Sequence, residues 1–286
     1  MVVFQKVGII GLGMLGGSIA LDVRRLGIAG EIIGASRRAS TLRKARKNGF
    51  VDRTTADIPG LIKTVDFLIL ATPPKVIPSY LRILAETNPG LLTIDVASVK
   101  EEIIETVNKS FGKSHCFVGS HPIAGSEVQG LAGSKSGLFV NRQVVVTPAR
   151  NSCPAAVEKV RQFWLALGAR VIQMDAREHD YILAVSSHLP HLTVYALVDT
   201  LKTVKNPHVY QCLGSGFKDA TRIGKSNPQL WAEIFLANRK HLLVHLASYK
   251  RRLQRLESLL RGTKRDSLAR YLKEIVVFRE SLDGKK

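Results

Sequence analysis

Short apolar runs alternate with amphipathic segments over the first 174 residues. The runs are almost continuously apolar, which predicts strands buried on both faces, as in a parallel sheet covered by helices. Residues 14–26 and a basic segment from Ser40 predict the first two helices of this α/β region. The predicted strands, in chain order, are KVGIIG, EIIGAS, VDFLILAT, LLTIDVAS, CFVGSHP, QVVVTPA and ARVIQM.

The pattern changes after Met174 to long segments with helical periodicity and scarcely a strand signal. These segments cover residues 177–204, 228–260 and 266–282, and Pro190 predicts a kink or a functional break in the first. We therefore expect an α/β domain over residues 1–174 and an all-α domain over residues 175–286. Long apolar stripes in so small a domain predict helices of a partner chain, hence a homodimer. Self-contained packing is the alternative.

Composition is that of an ordinary globular protein: 286 residues, 45% hydrophobic and 23% charged. Apolar runs of bilayer-spanning length are not evident, and the start MVVFQKVGIIGLG reads as a strand entering a glycine turn rather than a signal peptide. Cys116, Cys153 and Cys212 have no C-x-x-C spacing, so we expect neither a disulfide framework nor a metal site. A cytoplasmic protein without a membrane partner is the prediction.

The formal net charge of +19 is unusual. Clustered cations would suit nucleic acid, but the Lys and Arg residues are spread at helical spacing and accompany no nucleic-acid motif. We therefore expect no nucleic-acid partner. A field that attracts anionic small molecules and a simply basic solvated surface both remain open.

A glycine-rich turn, GLGMLG, follows the first strand and opens the first helix. In that context Gly11 permits the tight turn, Gly13 lets a pyrophosphate approach the backbone, and Gly16 allows close packing of helix and strand. Met14 and Leu15, which lie within the turn, are expected to contact the same ligand. The first domain is thus predicted to be a Rossmann-type dinucleotide-binding domain.

The end of the second strand indicates which dinucleotide is bound. NAD-preferring sites usually carry a carboxylate there for the ribose hydroxyls, whereas this chain has Ser36, Arg37 and Arg38. Two guanidiniums and a hydroxyl suit a 2′-phosphate, so NADP is predicted, with NAD possible. Thr72 and Pro73, from the strand end ATPP, are expected to lie beneath the nicotinamide.

Polar residues also follow the next two strands, at the sheet edge where ligands of open α/β sheets bind. DVASVK supplies Ser98, and GSHPIAGSE supplies His121, held extended by the proline after it. A serine and a histidine on adjacent strand ends can share one substrate hydroxyl. Together, facing a cofactor, they indicate catalysis.

The sequence resembles the prephenate and arogenate dehydrogenases of tyrosine biosynthesis over nearly its whole length. The resemblance rests on five ordered motifs: GLGMLGGS, DVASVK, GSHPIAGSE, SSHLPH and GFKDATRIGKSNPQLW. It implies a Rossmann domain followed by a helical dimerisation domain, in the monofunctional form. The reaction it implies is oxidative decarboxylation of prephenate to 4-hydroxyphenylpyruvate, with hydride transfer to NAD(P).

The resemblance also assigns roles to residues of this chain. His121 matches the catalytic histidine, which accepts the proton of the C4 hydroxyl, and Ser98 matches the serine that orients histidine and substrate. Arg222 matches the carboxylate-binding arginine. The remaining expected substrate-binding residues are Lys218, Asp219, His191, Glu127 and Trp231, whereas His188 is expected to be structural.

Several alternatives remain open. Glu127 would suit the ammonium of arogenate, and SRRAS resembles NADP-using arogenate enzymes, whereas SHLPH favours prephenate; arogenate or dual cyclohexadienyl dehydrogenase activity is therefore possible. A dehydrogenase of β-hydroxy acids would need a catalytic lysine in the segment 177–204, which offers only Lys202, near its end. A non-enzymatic dinucleotide binder would have no reason to combine Ser98, His121 and Arg222.

Overall fold

The computed structural model describes residues 3–112, 115–125, 128 and 130–284. By internal packing the chain forms two compact units, Met1–Arg239 and Lys240–Lys286. The predicted domain boundary after residue 174 remains a prediction. The first part of the larger unit consists of β1 (Phe4–Ile10), α1 (Met14–Arg25), β2 (Ala29–Ala35), α2 (Ala39–Lys47), β3 (Arg53–Thr55), α3 (Ile58–Thr64), β4 (Phe67–Leu70), α4 (Ile77–Thr87), β5 (Leu92–Asp95), α5 (Glu101–Ser110), β6 (Phe117–Pro122), β7 (Gln143–Pro148), α6 (Pro154–Ala166) and β8 (Arg170–Gln173).

One sheet of eight strands has the order β3-β2-β1-β4-β5-β6-β7-β8. All seven predicted strands are confirmed; β3 was not predicted, because its three residues, RTT, carry no apolar signal. The predicted parallel sheet is confirmed except at one pair, since β7 runs antiparallel to β6. The described part of the β6–β7 connection contains only a one-turn 3-10 helix, Leu131–Gly133, so it has no crossover helix to return the chain to the starting edge.

The continuous apolar runs arise because both faces of the sheet are covered. On β4, Phe67 and Ile69 belong to one buried cluster, whereas Leu68 and Leu70 belong to another. Successive side chains of a strand point to opposite faces, so two hydrophobic layers require apolar residues at every position. This packing fixes the carboxyl ends of β4, β5 and β6 at one edge of the sheet.

The predicted break at Pro190 is confirmed. The unit continues with α7 (Ala176–Leu183), a π-helical turn over Ala184–His188, and α8 (Leu189–Leu201). A proline has no N–H and its ring crowds the carbonyl four residues earlier, so a regular α-helix cannot continue unchanged through it. The break changes the directions in which the His188 and His191 side chains point, compared with a regular helix.

The predicted helix over residues 228–260 is wrong as a single element. α9 (Ser215–Thr221) and a 3-10 turn (Arg222–Lys225) precede α10 (Pro228–Ala237), and α11 (Arg239–Arg261) begins after a break at Asn238. Asn238 has φ −107° and ψ 23°, and its side-chain amide donates to the Asp180 carbonyl at 2.7 Å. A buried hydrogen bond, invisible in the periodicity, thus interrupts the helix.

The smaller unit contains α11 from Lys240 onward and α12 (Arg265–Asp283), close to the predicted helix over residues 266–282. Several large apolar side chains of α12 are exposed, among them Phe278, which is 62% exposed. The others are Leu272, Ile275, Val276, Val277 and Leu282.

The helical stretch Ala176–Leu201 is long and apolar enough, by length and composition alone, to cross a membrane. The sequence pattern predicted no run approaching that length. However, the stretch carries His179, Asp180 and His188, all buried inside the larger unit. Its polar side chains therefore take part in the internal hydrogen-bond network described below.

Candidate active site

The carboxyl end of β6 places His121 at a cavity. The strand is held by its ladder to β7 and by the Trp164 indole N–H, which donates to Ser120 Oγ at 3.2 Å. The His121 side chain is largely buried and lines a cavity of about 440 Å³ between the sheet edge and the helices that follow.

His121 belongs to a chain of three buried side chains. Its Nδ1 lies 2.8 Å from Nε2 of His179, whose Nδ1 lies 2.7 Å from Oδ1 of Asp180. The Asp180 carboxylate also accepts the backbone N–H groups of Lys100 at 2.8 Å and Glu101 at 2.9 Å. These two N–H groups open α5, so the carboxylate lies at a helix N-terminus, where negative charge is favoured.

The chain of hydrogen bonds fixes which ring nitrogen of each histidine carries a proton. A carboxylate only accepts, so His179 donates from Nδ1 to Asp180 and its neutral ring has a lone pair on Nε2. His121 then donates from Nδ1 to that lone pair. Its own Nε2 is left unprotonated, in the form that a general base requires.

The surroundings keep His121 neutral. Burial lowers the pKa of His121 well below its ordinary value, and electrostatic interactions with His179, Lys100 and His188 lower it further. Burial also lowers the pKa of His179, and that of His188 to about 4. The donation of Asn238 Nδ2 to Nδ1 of His188, at 3.0 Å, likewise requires a neutral ring there.

A buried ion pair lies behind the histidines. Lys100 Nζ bonds to the carboxylate of Asp95, and both side chains are fully buried. Asp95 also accepts the backbone N–H of Ala97 at 2.9 Å. The pair anchors the turn after β5 and supplies one of the charges that depress the pKa of His121.

The opposite wall of the cavity comes from the helices. His191 stacks on Trp231, with ring centroids 3.4 Å apart, and donates from Nδ1 to the Ser187 carbonyl at 3.0 Å. Burial lowers the pKa of His191, so its Nε2 is an acceptor. The structure brings seven predicted residues to this one cavity: Met14, Leu15, Ser98, His121, His191, Arg222 and Trp231.

Other predicted substrate residues are not brought to the cavity. Lys218 and Asp219 lie exposed on α9 and are absent from its lining, although Arg222, four residues after Lys218, is present. The chain changes from α-helix to a 3-10 turn at Arg222, so Lys218 and Arg222 do not share one face of a regular helix. Glu127 lies outside the described residues.

Sequence reasoning missed His179, Asp180 and Asn238. His188, expected to be structural, is buried and bonded to Asn238, yet it also lines the cavity. The sequence feature that could have identified two of them is the adjacent pair His179–Asp180, which lies about two to three helical turns before His188 and His191 in the same predicted helix. Ser98 lines the cavity, but the residue that accepts the hydrogen bond from Nδ1 of His121 is His179 rather than a serine.

The glycine turn next to this cavity fits a dinucleotide. Gly11 has φ 101°, a conformation that favours glycine, and a Cβ there would collide with the Ala71 backbone. A Cβ on Gly16 would collide with the Gly11 carbonyl, whereas Gly13, at the start of α1, faces open space. The turn is therefore close-packed on one side and open where phosphates would bind the helix N-terminus.

Two further observations support the fit. The Thr72 hydroxyl, after β4, is buried without a protein partner, beside Pro73, whose own side chain is exposed. Ser36, Arg37 and Arg38 follow β2, with both arginines exposed, and the Arg38 N–H donates to Ser36 Oγ at 3.2 Å. Met14 and Leu15 belong both to this turn and to the His121 cavity.

A nucleotide cradle that opens into a cavity with a neutral, hydrogen-bonded histidine defines a dinucleotide-dependent oxidoreductase. Residues 19–173 match the family profile "Prephenate dehydrogenase, nucleotide-binding domain", and residues 175–274 match "Prephenate dehydrogenase, dimerization domain". The chain belongs to the prephenate dehydrogenase family.

Individual relatives agree with this assignment. A prephenate dehydrogenase of Lactococcus lactis subsp. cremoris is 34% identical over 272 residues, covering 93% of this chain and 73% of the relative. The crystal structure of prephenate dehydrogenase from Aquifex aeolicus in complex with hydroxyphenyl propionate and NAD+ superposes with a TM-score of 0.91, at 33% identity over 97% of this chain and 98% of that one. Synechocystis arogenate dehydrogenase superposes with a TM-score of 0.82, at 32% identity over 97% and 100% of the two chains.

Proposed function

We propose that this protein oxidatively decarboxylates prephenate to 4-hydroxyphenylpyruvate. A nicotinamide dinucleotide, when bound in the glycine cradle, supplies the acceptor for the hydride that leaves the ring C4. The observation that carries the proposal is the His121–His179–Asp180 chain, which presents an unprotonated Nε2 to the cavity that Arg222 and the glycine turn also line.

In this mechanism His121 handles the proton. As C4 loses hydride, its hydroxyl gains carbonyl character and becomes acidic, and Nε2 of His121 accepts the proton. The positive charge that forms on His121 is stabilised through His179 by the Asp180 carboxylate. The electron pair of the breaking ring–carboxylate bond enters the ring as CO2 leaves, aromatisation makes the step downhill, and the phenolate oxygen that results takes back a proton to give 4-hydroxyphenylpyruvate.

Arg222 binds the substrate in this proposal. A guanidinium forms paired hydrogen bonds with a carboxylate, and Arg222 lines the cavity across from the sheet edge. His191, held against Trp231 with Nε2 free to accept or to face a polar group, positions the rest of the substrate. Holding the substrate in one orientation contributes to the rate because the entropy of positioning is lost on binding rather than in the transition state.

Prephenate is preferred over arogenate on electrostatic grounds. The described residues that line the cavity include the cation Arg222 and no aspartate or glutamate. The keto acid of prephenate needs no carboxylate partner, whereas the ammonium of arogenate does. Activity on arogenate, or on both substrates, is the second candidate. It is favoured by the similarity to the Synechocystis arogenate dehydrogenase and would need Glu127 to pair with the ammonium of arogenate.

We propose NADP as the preferred cofactor, with NAD as the alternative. The support is Ser36, Arg37 and Arg38 at the end of β2, where an NAD-preferring site would carry a carboxylate. Both guanidiniums are exposed and available to a 2′-phosphate.

A homodimer and a cytoplasmic location complete the proposal. The match to a dimerisation domain and the exposed apolar side chains of α12 support the dimer, and free cysteines suit a reducing compartment.

Light scattering after gel filtration should give twice the chain mass. Phe278→Asp should shift the protein to monomer, whereas Ser281→Asp, on the same helix, should not.

The substitution His121→Asn tests the catalytic assignment. We expect kcat to fall by about 100- to 10,000-fold, the usual worth of a positioned base, while the dinucleotide dissociation constant, measured by fluorescence, stays unchanged. Unchanged turnover would overturn the role of His121. Loss of dinucleotide binding together with turnover would instead indicate a misfolded variant. His115→Asn, two residues before the start of β6, is the control for the effect of the same substitution outside the cavity.

A further inference from the structure

Two cysteines adjoin each other at the edge of the sheet opposite the active site. Cys116 directly precedes β6, whose far end carries His121, and Cys153 is the N-cap residue of α6. Both are partly buried free thiols, whereas Cys212 is an exposed cysteine elsewhere. Neither Cys116 nor Cys153 has a place in the mechanism above.

The backbone holds the two cysteines side by side. His115 and Ser152 form a parallel β-bridge, and the Cys153 N–H donates to the His115 carbonyl at 2.9 Å. Neighbouring parallel strands are about 4.8 Å apart, so the residues one step beyond the bridge have Cα atoms roughly 5 Å apart. A disulfide needs a Cα separation of about 4.4–6.8 Å, so the backbone already meets this requirement.

The two thiols lie in different environments. Backbone N–H groups of Ala156 and Ala155, in the first turn of α6, lower the pKa of Cys153, and the hydrogen bond with Cys116 and the nearby Lys159 ammonium lower it further. Burial raises the pKa of Cys116. Cys153 is therefore the better nucleophile, and Cys116 is the thiol placed to attack it next.

A pocket gives small molecules access to the pair. It has a volume of about 340 Å³ and is lined by Cys116, Cys153 and Lys159, together with residues of the β4 and β5 amino ends. The acidic residue in its wall, Asp66, directs its carboxylate oxygens to the backbone N–H groups of Gln5 and Lys6. The positive charge that acts on both thiols is the Lys159 ammonium.

We propose that Cys116 and Cys153 form a redox-active dithiol, in which Cys153 attacks small anionic disulfides such as oxidised glutathione and Cys116 resolves the adduct. In the first step the Cys153 thiolate forms a bond to one sulfur of the small disulfide, whose S–S bond breaks and releases one thiolate that takes up a proton. In the second step Cys116 gives up its proton and attacks the Cys153 sulfur, releasing the second thiolate. The protein loses two electrons and two protons, and the small disulfide becomes two thiols.

The test exposes the full-length protein to oxidised glutathione and follows it by thiol titration and intact-mass spectrometry. The wild type should lose two of its three thiols and end two hydrogen atoms lighter, with a Cys116–Cys153 link in the peptide map. Dithiothreitol should restore both thiols.

Variants separate the two roles. Cys116→Ser should stop at one glutathione adduct on Cys153, Cys153→Ser should react at neither position on the same timescale, and Cys212→Ser should behave as wild type at the pair. Serine is a good N-cap residue, so Cys153→Ser should fold. Equal reaction rates of all three thiols, or a wild type that keeps a stable adduct on Cys153 without forming the link, would overturn the proposal.

Discussion

At the residue scale, the protonation state of His121 decides what the site can do. Its Nδ1 proton is committed to His179, whose own proton is committed to Asp180. The two strand-end residues, Ser98 and His121, were predictable because polar residues after buried strands stand out in the sequence. His179 and Asp180 were not, because their function depends on a buried contact between a helix and a strand 58 residues earlier.

The low pKa of His121 predicts an unusual pH profile. Because burial keeps the ring neutral, the base remains active as the pH falls through 6.5, where an ordinary histidine would become protonated. Values of kcat/KM measured from about pH 5 to about pH 9 should therefore show no acid limb near 6.5. An acid limb with an apparent pKa near 6.5 would contradict the account.

That experiment needs a folding control, because His188 has the same sign of shift. Its pKa is about 4 in the folded protein and 6.5 unfolded, so the unfolded chain binds a proton first as the pH falls. Stability is full above pH 6.5 and is lost between 6.5 and about 4, by on the order of 3 kcal/mol at about 1.4 kcal/mol per pKa unit. Circular dichroism at each pH identifies the range in which the kinetics report on folded enzyme.

Arg222 and Lys218 give a matched pair of substitutions. Arg222→Ala should raise KM for the substrate by about 10- to 100-fold, because a hydrogen bond to a charged group is worth about 1.5–3 kcal/mol. Lys218→Ala, exposed on α9 outside the cavity, should leave KM within about twofold. Equal effects of the two changes on KM would show that general positive charge, and not the cavity, binds the substrate.

At the element scale, irregular helices build the cavity. The π-helical turn before Pro190 was foreseeable, since proline disrupts a helix wherever it occurs. The break at Asn238 was not, because asparagine is tolerated in helices and only its buried partners explain the interruption. The seven strands were foreseeable from their apolar runs, but the reversal of β7 was not, because an apolar run does not encode the direction of a strand.

Asn238 should contribute measurably to stability. Asn238→Ala removes the side-chain donor to the Asp180 carbonyl, which keeps the Ala184 N–H, and the donor to Nδ1 of the buried His188. We expect a loss of about 1–3 kcal/mol in the free energy of unfolding, measured by urea denaturation. Asn48→Ala, at the exposed end of α2, should change it by less than about 0.5 kcal/mol; a similarly small effect at Asn238 would contradict the structural role.

At the scale of the whole molecule, the net charge of +19 suits a protein whose proposed substrate and cofactor are both anions. The cavity, the glycine cradle and the arginines after β2 all belong to the larger unit, Met1–Arg239. Sequence motifs predicted these parts separately; the meeting of the glycine turn and His121 at one cavity depends on strand order and helix packing, which single motifs do not encode.

The most direct test of the account is a turnover assay with prephenate or arogenate, each with NAD or NADP, followed by the absorbance of the reduced nicotinamide. We predict the highest kcat/KM for prephenate with NADP, and release of one CO2 per reduced nicotinamide. Faster turnover of arogenate would make the side-chain ammonium, not the keto acid, the group that the site recognises. Absence of reduction in all four combinations by a folded protein that binds the dinucleotide would contradict the proposed function.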